Sequence, residues 1–173
     1  MSNNLFPIVV PKRYFSRGNF PSFHKQLRHP ELAVTWVELT SKNSMIYVNF
    51  ERHQEIEMSG NDVHSLAMSH LRSSEFLTTH EKMISDRCTI HIMMHDDGLG
   101  SSRLLLISDL DEVFPEGYWL AIPERSCGIV VPKSINAEDR ETVENFVEHL
   151  YCEGSTAMLP GLFDRSEFEI LDR

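Results

Sequence analysis

His91, His95, Asp96 and Asp97 lie within seven residues and are the chain's best candidates for metal ligands, because imidazole and carboxylate are ordinary donors. Their spacing argues against a site. The run Cys88–Met94 reads as a strand, on which residues i and i+4 share a face but lie about 13 Å apart, too far to hold one ion. No HExxH or HxH pairing occurs among the nine histidines, most of which are expected at the surface. His70 is expected at the edge of the core. A nucleophilic thiol is the second possibility. Cys127 has Arg125 two residues away, and a cation would lower its pKa, yet no signature surrounds it. A small turn residue before a strand is the expectation. No cofactor and no metal are expected.

Carboxylates form two further sets. Glu138, Asp139, Glu141, Glu144 and Glu148 populate one helix, with Glu141, Glu144 and Glu148 at i, i+3 and i+7. A solvated face is the expectation, and a partner-binding face the alternative. Asp96 and Asp97, with Asp109, Asp111, Glu112 and Glu116, flank a proposed hairpin and need not form one patch. The candidate partner-binding residues are therefore Asp96, Asp97, Asp109, Asp111, Glu112, Glu141, Glu144 and Glu148.

The elements that must position these residues follow from periodicity. Residues 1–30 read as a basic aromatic N-terminal arm and 31–173 as one domain. Pro7, Pro11, Pro21 and Pro30 punctuate the arm. Phe6, Tyr14, Phe15, Phe20 and Phe23 alternate there with Lys12, Arg13, Arg17, Lys25 and Arg28, a composition that could grip RNA but is expected to wrap the acidic body. Ala33–Leu39, Ser44–Phe50 and Glu55–Met58 read as strands of a meander, the last on strict alternation. Ser59 with Asp62 reads as a capping box for a helix whose face is Val63, Leu66, Ala67, His70 and Leu71. Residues 73–86 are ambiguous; Phe76, Leu77, Met83 and Ile84 could form a short helix. Cys88–Met94 is expected to form a hairpin with Arg103–Ile107, with a short helix over Asp109–Phe114. Tyr118–Ile122 and Gly128–Val131 form another hairpin. Asn136 then caps a helix that carries Val143, Phe146, Val147, Leu150 and Tyr151 and ends at Gly154, and the tail folds back over the core. The expected class is α+β: a mostly antiparallel sheet packed against two principal helices.

Composition bounds the function. The chain has 173 residues, 41% of them hydrophobic and 24% charged, as in soluble globular proteins. No apolar run approaches a membrane span, and no secretory signal is expected. Three cysteines without CxxC spacing fit a reducing compartment, so a cytoplasmic location is expected. The net charge is −10; residues 31–173 alone hold 11 basic and 26 acidic groups, a net of −15. Such a body repels nucleic acid and anionic membranes and attracts a basic protein.

From Val113 to Phe163 the chain resembles the closing region of an uncharacterised family of bacterial domains of unknown function. The shared residues are Phe114-Pro115-Glu116-Gly117, Ala121-Ile122-Pro123-Glu124-Arg125, Ile129-Val130-Val131, Gly154-Ser155 and Leu159-Pro160-Gly161-Leu162-Phe163. The resemblance implies a bacterial α+β domain and carries no activity. The element order of the first two-thirds also resembles that of small acidic secretion chaperones. The leading expectation is a non-catalytic acidic protein-binding module, an immunity-type inhibitor of a bacterial toxin, acting as monomer or homodimer. A secretion chaperone or adaptor is the alternative, and a thiol or metal enzyme a further one.

Overall fold

The computed structural model describes residues 4–17, 23–40, 44–73, 79–95 and 97–171. The class is α+β, and both of its sheets are antiparallel. The chain divides into two units, Met1–Phe76 with Ile170–Arg173, and Leu77–Glu169. The boundary therefore falls after residue 76, not after an arm of 30 residues.

In the first unit, β1 (Leu5–Pro11), β2 (Lys25–Gln26), β3 (Leu32–Leu39) and β4 (Met45–Tyr47) form a sheet centred on β3. Much of the expected arm is thus sheet. β1 pairs with β3 from Leu5↔Glu38 to Pro11↔Leu32. Proline excludes a helix, but it is tolerated on an edge strand, whose outer side makes no ladder bonds. Leu5, Ile8, Val9 and Val10 are buried. Phe6, Tyr14 and Phe15 pack on Ile8, Val10 and Val37 of the unit's own sheet, so these arm aromatics are used locally. Phe20 lies outside the described residues.

The expected strand at Glu55–Met58 is instead the last turn of α1 (Phe50–Met58). Asn49 caps that helix by accepting the Arg52 amide at 2.9 Å, which also ends the preceding strand at Tyr47. Alternation over four residues cannot separate a strand from a helix that buries one residue per turn. Here Ile56 is buried and Met58 is 80% exposed, so the second apolar residue of the pattern has no core to face. The cap of α2 (Val63–Ser73) is Asp62, whose Oδ1 accepts the Ser65 amide at 2.7 Å. Ser59 instead closes α1 by donating its hydroxyl to the Ile56 carbonyl. α1 and α2 cover one face of the sheet through Leu5, Trp36, Val48, Ile56, Val63 and Ala67.

The second unit is a five-stranded sheet in the order β5-β6-β8-β7-β9, comprising β5 (His80–Ser85), β6 (Cys88–Met94), β7 (Tyr118–Glu124), β8 (Cys127–Pro132) and β9 (Phe163–Asp164). Met83 and Ile84 are strand residues, not helical ones; Phe76 and Leu77 lie outside the described residues. β6 pairs with β5 and β8, not with Arg103–Ile107. Residues Ser101–Leu105 form a 3-10 helix and are all buried. The run lies against the sheet because glycines let backbone meet backbone. A Cβ on Gly128 would stand 2.5 Å from the Gly100 carbonyl and 3.0 Å from Leu104, and one on Gly100 would collide with the Ser126 and Met93 carbonyl oxygens. A short helix, α3 (Ile107–Val113), follows as expected. The β7–β8 hairpin also matches expectation.

α4 (Ala137–Glu153) covers the opposite face of the sheet. Val143 and Val147 pack against Cys88, Ile90, Ala121, Cys127, Ile129 and Val131. Asn136 accepts the Asp139 amide at 2.9 Å, and the Gly154 amide returns to the Leu150 carbonyl. The tail does not merely cover the core, since Phe163 and Asp164 add a strand beside Leu120 and Trp119.

Candidate functional site

The two units differ sharply in charge. The second holds 7 Lys and Arg against 18 Asp and Glu, a net of −11, whereas the first holds 9 against 8. Of the −15 carried by residues 31–173, −11 therefore lies in the second unit and −4 in residues 31–76, where the basic N-terminal residues offset it.

Within that unit the candidate carboxylates have separate fates. Asp97 and Arg103 form a bidentate pair at 3.0 and 2.6 Å, and Arg103 is only 2% exposed. Burial raises the Asp97 pKa, but the Arg103 hydrogen bonds, the Leu99 amide and the Arg103 charge outweigh it and hold the carboxyl below its ordinary value. Asp111 accepts from the Tyr118 hydroxyl at 2.9 Å and from Arg165. The phenol is pushed upward by burial and by that carboxylate. Both aspartates are thus committed to internal partners, Asp97 to a buried arginine and Asp111 to a half-exposed one. Asp109 is half-buried, Glu112 is exposed, and Asp96 lies outside the described residues.

The sheet separates the two acidic sets. Tyr118 and Leu120 face away from Trp119 and Ala121, which belong to the α4 side. The Tyr118 hydroxyl bonds Ile107 and Asp111 of α3, which ties α3 to the face opposite α4. On α4, Asp139 is buried and bonded to Asn136, and Glu144 pairs with Arg140 at 2.9 Å. Glu138, Glu141 and Glu148 are exposed. Glu141 and Glu148 are two turns apart, about 10 Å along the helix. α4 thus presents a row of solvated carboxylates on one side and its apolar stripe on the other.

The thiol and imidazole candidates are placed less favourably for chemistry. Cys127 is buried, and burial, followed by the Glu124 charge, pushes its pKa up to about 12. It is a protonated thiol at neutral pH and a poor nucleophile. Cys88 is raised by burial and then by Asp139. The His91 ring lies edge-on to Phe114 with centroids 4.9 Å apart, and its Nδ1 is 4.0 Å from Glu81. Among the described residues no three His, Cys, Asp or Glu side chains are placed to hold a metal ion.

A cavity in the first unit has no counterpart in the sequence reading. It measures about 220 Å³ and is lined by Phe23, His24, Lys25, Trp36, His53, Glu57, Asp62, Val63 and His64. Phe23 tilts against His53 with centroids 4.4 Å apart. Trp36 meets His53 and His64 edge-on at 5.6 and 6.2 Å. Trp36 Nε1 and His64 Nδ1 are buried without a hydrogen-bond partner, while His53 Nδ1 lies 3.6 Å from the Glu57 carboxylate one turn on. His64 is lowered by burial and then by Lys25, against an opposing pull from Asp62. One signal was available: His53 stands three residues before the buried Ile56, so it lies toward the inward face of α1. That signal appears only once residues 50–58 are read as helix.

No family model, no curated protein and no solved structure matches the chain. No helix among the described residues is long and apolar enough to cross a membrane.

Proposed function

We propose that this chain is a non-catalytic acidic binding protein whose second unit docks on a basic protein, in the manner of an immunity-type inhibitor that neutralises a bacterial toxin. One observation carries the reading. A unit of net charge −11 turns Glu138, Glu141 and Glu148 of α4 to solvent while its other face is packed. Solvated carboxylates on a rigid helix steer a cationic surface and fix its register at little desolvation cost. Asp97 and Asp111 are outside the proposed face, because each already neutralises an arginine of its own unit.

The test is affinity purification from the native host, followed by binding measurements on the recovered partner. A stoichiometric basic protein is expected, bound at nanomolar strength and more weakly as salt rises. Glu141→Lys with Glu148→Lys slows association by at least about tenfold. Recovery of no stoichiometric partner, or affinity unchanged by salt and by both reversals, refutes the reading.

A chaperone or adaptor is the second reading, and a different feature supports it. Ile46, Phe50 and Met58 of the first unit are 58%, 55% and 80% exposed, the kind of surface that holds an apolar segment. A strict monomer by light scattering counts against the dimeric chaperone.

A further inference from the structure

We propose that Phe23, His24 and Lys25 form an acid-released flap: protonation of His24 and His64 detaches this segment from the first sheet, with Gln26 as the pivot, and uncovers Trp36. This is independent of the protein-binding role of the second unit. The segment is lightly attached. Lys25 and Gln26 pair with Val34 and Ala33, and the Thr35 hydroxyl donates to the Phe23 carbonyl at 2.7 Å. Phe23 stacks on Phe50 at 5.0 Å and stays 38% exposed. Segments with few buried contacts open at the smallest cost. The residues that follow are anchored. The Gln26 side chain donates to the Leu27, His29 and Leu32 carbonyls, the Gln26 carbonyl accepts the Leu171 amide, and Leu27 is fully buried. Opening therefore stops at Gln26.

Strand alternation gives the segment two faces. Lys25 lies opposite Val34 and so on the Trp36 side, as does Phe23 against α1. His24 lies on the Val37 side, stacked on Phe15 with centroids 3.9 Å apart. Each face sets a histidine beside a lysine. On the Trp36 side, Lys25 and His64 of α2 line one cavity, together with Asp62, which caps α2, and His53 and Glu57 of α1, which lie 3.6 Å apart. On the other side, His24 faces Lys12 of the 3-10 helix Lys12–Arg17. Arg13 and Arg17 of that helix are cationic too, Tyr14 packs on the same face, and the backbone carbonyl of Glu31 takes the Lys12 amide.

Neutral, both imidazoles serve as packing surface. Protonated, each becomes a second cation beside a lysine, one on either face of the segment, and Asp62 opposes that repulsion only at His64. Burial first, then Lys12 for His24 and Lys25 for His64, holds both groups below the usual 6.5 in the closed form. Opening parts His24 from Phe15 and Lys25 from His64, so the open form binds more protons than the closed one. Its share therefore grows as pH falls below 6.5. Two histidines that stay neutral while the flap is closed raise the open-to-closed ratio by at most about a hundredfold per unit of pH. Trp36, 2% exposed in the closed form, is the reporter.

The test uses the full chain with Trp119→Phe, which leaves Trp36 as the sole tryptophan. Acrylamide quenching of Trp36 and hydrogen exchange read by mass spectrometry, corrected for intrinsic rates, are compared at about pH 7.5 and about pH 5. Trp36 is expected to become accessible to acrylamide, and the protection of residues 23–26 to fall at least about tenfold. Leu5–Pro11 and Cys127–Pro132 are expected to keep their protection. His24→Gln with His64→Gln abolishes the fall, and Lys12→Met with Lys25→Met reduces it to below about threefold. Should the histidine pair lose its near-ultraviolet dichroism at neutral pH, the lysine pair decides. Three results each overturn the proposal: quenching and protection unchanged between the two pH values, protection lost equally across the whole first unit, or the full loss retained in a folded variant pair.

Discussion

Replacing Asp97 with Ala leaves the Arg103 guanidinium in place, 2% exposed and without its carboxylate. Breaking a buried ion pair from one side costs about 3–5 kcal/mol, because the surviving charge stays desolvated. Asp97 itself is 28% exposed, so water can reach the vacated position, and the low end, about 3 kcal/mol, applies. The Leu99 amide also loses its acceptor, which adds about 1 kcal/mol. The total, about 4 kcal/mol, is a large share of the 5–15 kcal/mol by which a domain is stable. Arg103→Met keeps the apolar stem, removes the charge and leaves Asp97 to Leu99 and solvent; it costs about 1 kcal/mol. The double variant loses only about 2 kcal/mol, which gives a coupling of about 3 kcal/mol. The assay is urea unfolding followed by Trp119, with Trp36→Phe in every member of the series so that the second unit alone reports. A cost below about 1 kcal/mol for Asp97→Ala, or additivity within about 0.5 kcal/mol, would show that the pair is not a desolvated one.

The remaining predictions concern core, backbone, thiols and pH. Ile129→Ala, in the fully buried cluster under α4, should cost about 2–5 kcal/mol by denaturant unfolding, while Ile46→Ala, 58% exposed, should stay within about 0.5 kcal/mol. Gly100→Ala should cost at least about 2 kcal/mol by the same assay, since its Cβ meets two backbone carbonyl oxygens, that of Met93 in β6 and that of Ser126 in the β7–β8 turn. A chromogenic disulfide at mildly alkaline pH should titrate Cys152 rapidly, and Cys88 and Cys127 only after unfolding; rapid reaction at all three would contradict the burial. His64 sits below its usual 6.5 because burial and Lys25 oppose the cation. The folded state then binds fewer protons than the unfolded one, and stability falls as pH drops through 6.5. The melting temperature should therefore decline between about pH 7.5 and 5.5, and less steeply in His64→Gln. His24, lowered by burial and then by Lys12, shifts in the same sense and leaves a residual slope.

The sequence by itself determined what rests on local chemistry repeated over enough residues. α4 was legible because its cap, its acidic first turn, five apolar positions at helical spacing and its terminating glycine agree over 17 residues. The β7–β8 hairpin was legible for the same reason, as two apolar runs flanking turn residues. The class followed from those elements, and so did the acidity of the chain, since charge is a count. Tertiary structure decided the rest. Four residues at Glu55–Met58 fit strand and helix equally until Asn49 capped the turn and Met58 was left in water. Leu104–Ile107 is apolar in any fold; only the contact of Gly100 and Gly128 made it part of a buried 3-10 segment and short helix instead of a strand. Partnership is likewise non-local. Six residues of chain part Asp97 from Arg103, and 54 part Asp111 from Arg165. Whether a carboxylate faces solvent or neutralises an arginine depends on which cation the fold brings beside it: Glu144 pairs with Arg140 on the same helix that turns Glu141 and Glu148 to water. Trp36, His53 and His64 come from one strand and two helices, and no spacing along the chain reports that they line one cavity. Periodicity encodes the direction of a side chain relative to its own element, and packing between elements supplies its neighbours.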